Sequence, residues 1–333
     1  MKKTSINSPE MCIVIPAYNE SEALPPLIDK LRFVIGSLDI SYRIIVVNDG
    51  SSDITEQVLD TISSQDSRVN IVNLSRNFGK EAAMAAGLAQ ADGNCIVFID
   101  ADMQHPPDLI PLLYHAWRDG FDVVNAVKQQ RSNESPIYRW MAKQFNKFMT
   151  KFVGQDMGGA SDFMLIDRQV ADVLLECPER NRFFRGLVAW VGFRVKKIEF
   201  HVQERQHGVT KWSVLSLLKY SLTNIVSFSS FPLHIVAYIG FISVTLGAVL
   251  LVHTLVRWVL GTAAIGFTTV IAVQILLGGM IILAIGVISI YLSHMYEEQK
   301  QRPIFIIKRP RTSAKPHFGD ILNATNSNRE WVR

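Results

Sequence analysis

Short apolar runs alternate with amphipathic stretches along the first 130 residues. Met11–Ile15, Arg43–Val47, Asn70–Asn73, Cys95–Ile99 and Asp122–Val127 are mostly β-branched runs bounded by polar clusters, the pattern of buried strands. Helical periodicity falls between them, near Ser21–Ser37, Ile54–Ser64, Lys80–Gln90 and Leu109–Asp119. This repetition predicts an α/β fold with a Rossmann-like, mostly parallel sheet covered by helices on both faces. Such sheets bind ligands beyond the carboxyl ends of their strands. Those ends read Pro16-Ala17-Tyr18-Asn19-Glu20, Asn48-Asp49-Gly50-Ser51-Ser52-Asp53 and Asp100-Ala101-Asp102. The polar chemistry collects where a site belongs.

The pattern changes past residue 130. Ile137, Met141, Phe145, Phe148 and Phe152 recur at helical spacing, with Arg139, Lys143, Lys147 and Lys151 on the opposite face. Leu215, Leu218, Leu222 and Ile225 repeat the arrangement beside Lys211 and Lys219. An aromatic-rich apolar face opposite a basic one suits a membrane interface. Amphipathic interfacial helices are therefore expected at about 137–153 and 212–226, with ordinary packing on the domain surface as the plainer alternative.

Two long runs without a formal charge follow, Leu233–Val256 and Thr268–Leu292. Each exceeds the roughly 20 residues that span a bilayer core, which predicts transmembrane helices at about 233–256 and 268–292. A buried hairpin in a soluble core is the alternative. A Lys or Arg at midspan would cost roughly 2.5–3.5 kcal/mol, so the lack of charge over this length favours the membrane. The connector carries one basic residue, Arg257, whereas Lys300, Arg302, Lys308, Arg309 and Arg311 follow the second run. The positive-inside rule then gives a multi-pass protein of the inner (cytoplasmic) membrane with both termini cytosolic. The expected division is a cytosolic α/β domain with its interfacial helices (1–230), two transmembrane helices (231–296), and a cytosolic C-terminal segment and tail (297–333).

Composition narrows the partners. Lys+Arg number 34 against Asp+Glu 30, a net charge of +4 that is too small to point to nucleic acid. No nucleic-acid motif, phosphate-binding glycine loop or Ser-His-Asp order is present. Cys12, Cys95 and Cys177 lack metal or redox spacing and read as small buried hydrophobes. Polar residues follow Met1-Lys2-Lys3, so no cleavable signal peptide is expected.

Asp100-Ala101-Asp102 continues an apolar run, and in extended geometry side chains at i and i+2 point the same way. Two carboxylates converging at a strand end suit a hard divalent cation that bridges to phosphate oxygens. A turn in which the acids bond to backbone amides is the alternative. Asp49 and Asp53, at another strand end, add weight to the cation.

The segments Cys12-Ile13-Val14-Ile15-Pro16-Ala17-Tyr18-Asn19-Glu20, Val47-Asn48-Asp49-Gly50-Ser51-Ser52-Asp53 and Asp100-Ala101-Asp102-Met103-Gln104 resemble the three signatures of family 2 glycosyltransferases. Arg76-Asn77-Phe78-Gly79-Lys80, Glu179-Arg180-Asn181-Arg182-Phe183-Phe184-Arg185-Gly186 and the two C-terminal runs narrow the resemblance. It is to the bactoprenol (undecaprenyl-phosphate) glucosyltransferase type, related to dolichol-phosphate mannose synthase, over roughly residues 10–310. The resemblance implies a GT-A catalytic domain and inverting transfer of a hexose, expected to be glucose, from a UDP-sugar to undecaprenyl (polyprenyl) phosphate. Transfer would occur at the cytosolic membrane face and supply a lipid-linked sugar for cell-envelope glycans such as O-antigen. A divalent metal, Mg2+ or Mn2+, and a homo-oligomer are also expected, with no nucleic-acid partner.

Residue by residue, the resemblance implies that Pro16, Tyr18, Glu20 and Val47 line the donor's nucleotide pocket and that Asp49 bonds its base. Asp100 and Ala101 would lie beside the ribose and diphosphate, with Asp100, Asp102 and Gln104 around the metal. Gly158-Gly159-Ala160-Ser161-Asp162-Phe163 resembles the segment that holds an acid near the sugar carbon. Asp162 and Asp102 are accordingly the candidate catalytic residues. A lipid phosphate is already ionised at pH 7, so a positioning role for Asp162 comes before proton transfer. Arg131, Arg205 and Lys211 are candidates for the acceptor phosphate and donor diphosphate, Arg by its planar fork and Lys as a point charge. A processive polysaccharide synthase would carry QxxRW, whereas Pro136 stands where Arg139-Trp140 would need Gln. A non-catalytic membrane scaffold would not need Asp49, Asp100, Asp102 and Gln104 together.

Overall fold

The computed structural model describes residues 8–128, 160–177, 179, 182–200, 231–260 and 266–308. The expected interfacial helices at about 137–153 and 212–226, Arg131, Arg205, Lys211 and the tail from residue 309 lie outside the described residues.

Seven strands form one sheet: β1 (Met11–Ala17), β2 (Tyr42–Asn48), β3 (Val69–Asn73), β4 (Cys95–Phe98), β5 (Val123–Lys128), β6 (Ala160–Asp167) and β7 (Val195–Phe200). Their spatial order is β3-β2-β1-β4-β6-β5-β7. β1, β2, β3 and β4 run parallel, β6 runs antiparallel to both β4 and β5, and β7 is again parallel to β5. Helices α1 (Leu24–Gly36), α2 (Thr55–Gln65), α3 (Lys80–Gln90), α4 (Ile110–Arg118), α5 (Arg168–Glu176) and α6 (Phe184–Trp190) accompany the sheet. The expected α/β class holds, with a mixed, mostly parallel sheet.

Alternation along β1 builds both layers. Met11, Ile13 and Ile15 pack in one core with Leu24, Leu27, Ile28 and Leu31 of α1 and Ile110 and Leu113 of α4. Cys12 and Val14 face the other core, with Ala83, Met84 and Ala86 of α3 and Val170 and Leu174 of α5. Burying each large aliphatic side chain contributes roughly 1.5–3 kcal/mol, so the parallel strands are anchored from both faces. All three cysteines are buried and free. Burial pushes the Cys12 thiol up to about 11, keeping it an uncharged hydrophobe.

Helices α7 (Phe231–Val259) and α8 (Phe267–Gln299) follow. Each contains an apolar stretch long enough to cross a membrane, Leu233–Thr254 and Val273–Gln299. Phe241, Val244 and Ile282 are each more than 70% exposed (73%, 72% and 72%), so burial in a protein core does not account for these helices.

After α8 the chain returns to the sheet. Ser75 donates its N–H to the Ile306 carbonyl at 2.9 Å, and Lys308 donates its N–H to the Asn73 carbonyl at 2.7 Å. Leu74 and Ile307 form an antiparallel bridge. Phe305 packs against the core beside α3, and the Lys308 ammonium pairs with Glu56 of α2 at 2.8 Å. The segment thus covers the outer edge of β3, which would otherwise present unpaired backbone groups. Lys308→Pro removes both the N–H donor and the ammonium. With each backbone hydrogen bond contributing about 1 kcal/mol, we expect tryptic cleavage after Lys300 to accelerate several-fold in detergent. Unchanged cleavage would mean that the segment is held by other contacts.

Candidate active site

The site is assembled at the carboxyl ends of β1, β2 and β4 and the amino end of β6. The chain leaves β4 into the turn Asp100–Gln104. There Asp102 accepts the Gln104 N–H at 3.1 Å, and Met103 sits at φ +56°, a conformation uncommon for a side-chain-bearing residue and concentrated at functional turns. The turn brings His105 back under the acids. Its buried ring packs near Phe163 and Phe200, with centroids 5.5 and 5.7 Å away, and its Nδ1 lies 3.6 Å from Asp100 Oδ2. Ligand atoms of Asp100, Asp102 and His105 all lie within 4.8 Å of one another. Two carboxylates and an imidazole form a fitting donor set for a divalent cation. No motif spacing marked His105 in the sequence.

Antiparallel pairing supplies the opposite wall. The β4–β6 register sets Phe98 against Met164, and two further residues along it bring Asp100 opposite Asp162. A bulge between β5 and β6 falls at this point. Ser161 donates its hydroxyl to the Ala126 carbonyl at 2.6 Å, holding the irregularity in place. Bulges beside active sites re-aim side chains.

Asp162 is buried and engaged on both oxygens. Arg185 Nε donates to Oδ1 at 2.5 Å and Nη2 to Oδ2 at 2.9 Å, while the Lys80 ammonium donates to Oδ2 at 2.5 Å. The same ammonium lies 2.5 Å from Asp100 Oδ1. Burial opposes the charge of Asp162, but Lys80 and Arg185 outweigh it and hold the carboxyl well below the usual carboxylate range. Burial likewise opposes the charge of Lys80, and Asp100 and Asp162 outweigh it to keep the ammonium above the ordinary lysine value. Glu81 accepts the Phe184 N–H at 2.9 Å and so docks the start of α6, which carries Arg185. Burial and then the nearby Asp162 charge push Glu81 up to about 7.

The β1 and β2 loops form the remaining wall. Asp49 is buried, and its two oxygens accept the Phe78 N–H at 2.7 Å and the Gly79 N–H at 2.9 Å. Burial raises its pKa against the pull of those amides. Ser52 donates its N–H to the Asn19 side chain at 2.9 Å, and Glu20 donates its N–H to Thr55 Oγ1 at 3.1 Å. Tyr18 stands 42% exposed at this rim. The Val47 side chain is fully buried against the α3 layer, and its backbone lies in register between Pro16 of β1 and Val72 of β3, so this residue supports the site from within the sheet. Asp53 lies outside the acidic group: it accepts the Thr55 N–H at 3.0 Å, next to the start of α2. Of the residues singled out from the sequence, Asp100, Asp102, Gln104 and Asp162 share one neighbourhood. Lys80, Arg185 and Glu81 join it from distant parts of the chain.

This α/β domain, with paired acids closing a parallel strand and an antiparallel strand bringing a third acid to meet them, has the GT-A architecture of a glycosyltransferase. The profile of Glycosyl transferase family 2 matches residues 12–174. An uncharacterised glycosyltransferase of Synechocystis sp. is 40% identical over 304 residues, covering 90% of this chain and 94% of that protein. The bactoprenol glucosyl transferase of Shigella phage SfV is 34% identical over 310 residues, 91% of this chain and 99% of its own length. A prophage bactoprenol glucosyl transferase homologue of Escherichia coli (strain K12) is 35% identical over 308 residues, 90% and 99% of the two chains. The chain belongs to glycosyltransferase family 2, and it is a glycosyltransferase.

Two outcomes test this geometry. Gly50 adopts φ +64°, and a Cβ there would lie 2.6 Å from Asn77 N and 2.7 Å from Arg76 Cα. Gly50→Ala should therefore push the 76–79 loop off Asp49. The expected result is at least tenfold weaker nucleotide binding by calorimetry, together with a lower melting temperature. The second outcome concerns Glu81. With its pKa raised from 4.5 to about 7, the folded protein holds this proton more tightly than the unfolded chain does. Stability therefore falls as pH rises from about 4.5 to about 7, by about 1–3 kcal/mol. Glu81→Gln keeps an acceptor for Phe184 and should flatten that stretch of the melting-temperature profile. An unaltered profile would place the titration elsewhere.

Proposed function

We propose that this glycosyltransferase moves a hexose, glucose, from a UDP-sugar to undecaprenyl (polyprenyl) phosphate at the cytosolic face of the inner membrane. The observation that carries the reading is the meeting of Asp100, Asp102 and His105 with the Lys80–Asp162–Arg185 cluster in a chain that also holds two membrane-length apolar helices. Full-length relatives named bactoprenol glucosyl transferase support both the sugar and the lipid acceptor.

In this reading Pro16, Tyr18, Glu20 and Asp49 receive the nucleoside with Val47 beneath them, and Asp100 and Ala101 lie along the ribose and diphosphate. Asp100, Asp102 and His105, with Gln104 beside them, would hold Mg2+ or Mn2+, and the imidazole leans the set toward Mn2+. When bound, the cation neutralises charge on the departing diphosphate. The bond from the sugar's anomeric carbon to UDP breaks as the lipid phosphate oxygen bonds the opposite face, giving inversion. The attacking oxygen is already ionised, so no proton need leave it. Arg131, Arg205 and Lys211 are proposed to offset the repulsion between two phosphate-bearing substrates.

We also propose that α7 and α8 cross the membrane as a hairpin between the 1–230 catalytic domain and the 297–333 segment, with amphipathic stretches 137–153 and 212–226 at the interface. The contacts of Ile306 and Lys308 with the β3 edge support a hairpin, because two crossings return the chain to the side it left.

The test is transfer of labelled glucose in oriented vesicles. Inside-out vesicles should label undecaprenyl phosphate from external UDP-glucose, and sealed right-side-out vesicles should not. Asp102→Asn replaces a ligand carboxylate with a weaker amide oxygen. We expect at least a 100-fold loss of transfer with membrane insertion intact. Near-normal turnover of this variant would sink the site assignment, and labelling only in right-side-out vesicles would invert the topology.

A further inference from the structure

Lys80 is the first residue of α3, where a cation opposes the helix dipole, and its ammonium touches two acids contributed by different strands. Asp100 belongs to the group that can hold a cation, whereas Asp162 lies across the site on β6 and is gripped from its other side by Arg185. One ammonium is thus shared between two carboxylates, each 2.5 Å away. Strengthening one pairing weakens the other, because a single positive charge cannot compensate both acids fully. We propose that Lys80 is a positioning residue that couples the two halves of the site electrostatically, with Asp162 acting as the anchor that draws Lys80 away from Asp100. Asp162 keeps the ammonium from neutralising Asp100, so Asp100 retains charge for a divalent cation, and Arg185, which shares Asp162, limits how far the ammonium is drawn. Conversely, a cation arriving at Asp100 and Asp102 repels the ammonium toward Asp162, where it and Arg185 present positive charge to the incoming acceptor phosphate. This inference rests on the proposed function for the identity of the acceptor, but the coupling itself does not depend on it.

The coupling is read most directly from Mn2+ binding to the detergent-solubilised full chain without donor or acceptor. One unit charge about 4 Å from a divalent ion is worth about 2 kcal/mol even in water-like surroundings, roughly thirtyfold in affinity before screening by solvent and salt. Lys80→Met should therefore bind Mn2+ at least about fivefold more tightly than wild type, and Lys80→Arg should stay near wild type. Asp162→Asn, which removes no Mn2+ ligand, should bind Mn2+ about threefold or more weakly, because Lys80 then rests on Asp100 alone. In Lys80→Met/Asp162→Asn the part of the Asp162 effect that passes through Lys80 should vanish, leaving only the smaller loss due to the direct charge of Asp162. Turnover should fall at least 100-fold in Lys80→Met and recover in part in Lys80→Arg. Unchanged Mn2+ affinity in Asp162→Asn overturns the proposal. So does additivity in the double variant. If Lys80→Met melts early, Lys80→Gln and Asp162→Asn carry the cycle. Absence of glucose transfer by wild type would refute the donor or acceptor assignment while leaving the Mn2+ cycle intact.

Discussion

The site depends on the register between β4 and β6. β1, β2, β3 and β4 run parallel, so their carboxyl ends emerge together, but parallel neighbours alone would put only loops from one end of the sheet into the site. β6 enters from the opposite direction, and its first residues lie beside the last of β4. A shift of one residue would turn Asp162 to the other face, since side chains alternate along a strand. The pairing of Phe98 with Met164 and the Ser161 bond that holds the bulge therefore bring Asp100 and Asp162 to a single ammonium. Packing secures this arrangement: Phe98 stacks edge-on against Phe184, with centroids 4.7 Å apart. Phe184 begins the helix that carries Arg185.

Electrostatics then divides the acids by task. Asp49 accepts the amides of Phe78 and Gly79, one on each oxygen, which fixes the loop leading directly into Lys80. Asp53 is spent on the start of α2. Asp100 and Asp102 remain partly open at the edge, with His105 beneath them, and this is the group suited to a cation. Asp162 is the most constrained of the set, with two cations on one carboxylate. A group held so firmly in its ionised form is a weak proton acceptor, because protonation would forfeit both charge-assisted pairings. An acceptor that arrives as a phosphate removes the need for such a base. The cluster's ion pairing and the chemistry of a pre-ionised nucleophile agree.

The parallel half of the fold was legible because its strands are buried on both faces and its helices keep their period. β1 to β5 fall within a few residues of the runs that predicted them, and α3 spans Lys80–Gln90 as expected. β6 and β7 were not predicted as strands. β6 begins with Ala-Ser-Asp, which reads as a turn, and its reversal follows from pairing with β4, a long-range choice that no local pattern encodes. β7 is Val-Lys-Lys-Ile-Glu-Phe, a charged edge strand without a clean apolar run. The site divides the same way. Asp100 and Asp102 announced themselves by i, i+2 spacing at a strand end, whereas Lys80 and Arg185, quoted from the sequence only as parts of resembling segments, gained a role through Asp162, separated from them by 82 and 23 residues. His105 was invisible for a different reason: its importance comes from a turn through Met103 at positive φ that folds it under the acids.

The edge contact after α8 links these local arrangements to the membrane-length helices. Ile306 and Lys308 bind the backbone just ahead of the loop that runs from Arg76 to Lys80. That loop clasps Asp49 and ends in the shared ammonium, so the end of a membrane-length helix and the centre of the site are joined by only a few residues of ordered backbone. A catalytic domain attached to a bilayer solely through one flexible connection would sample many orientations, and few would present the strand ends to a phosphate confined to the surface. In the proposed membrane-bound arrangement, a second attachment through the β3 edge would remove rotational freedom before the acceptor binds, and such prepaid orientation is a large source of rate in group transfer. The Phe305 side chain inserted beside α3 and the Lys308–Glu56 pair strengthen that attachment without occupying the site. The edge strand, which many sheets protect with charge or a short length, is here covered by the segment that follows α8.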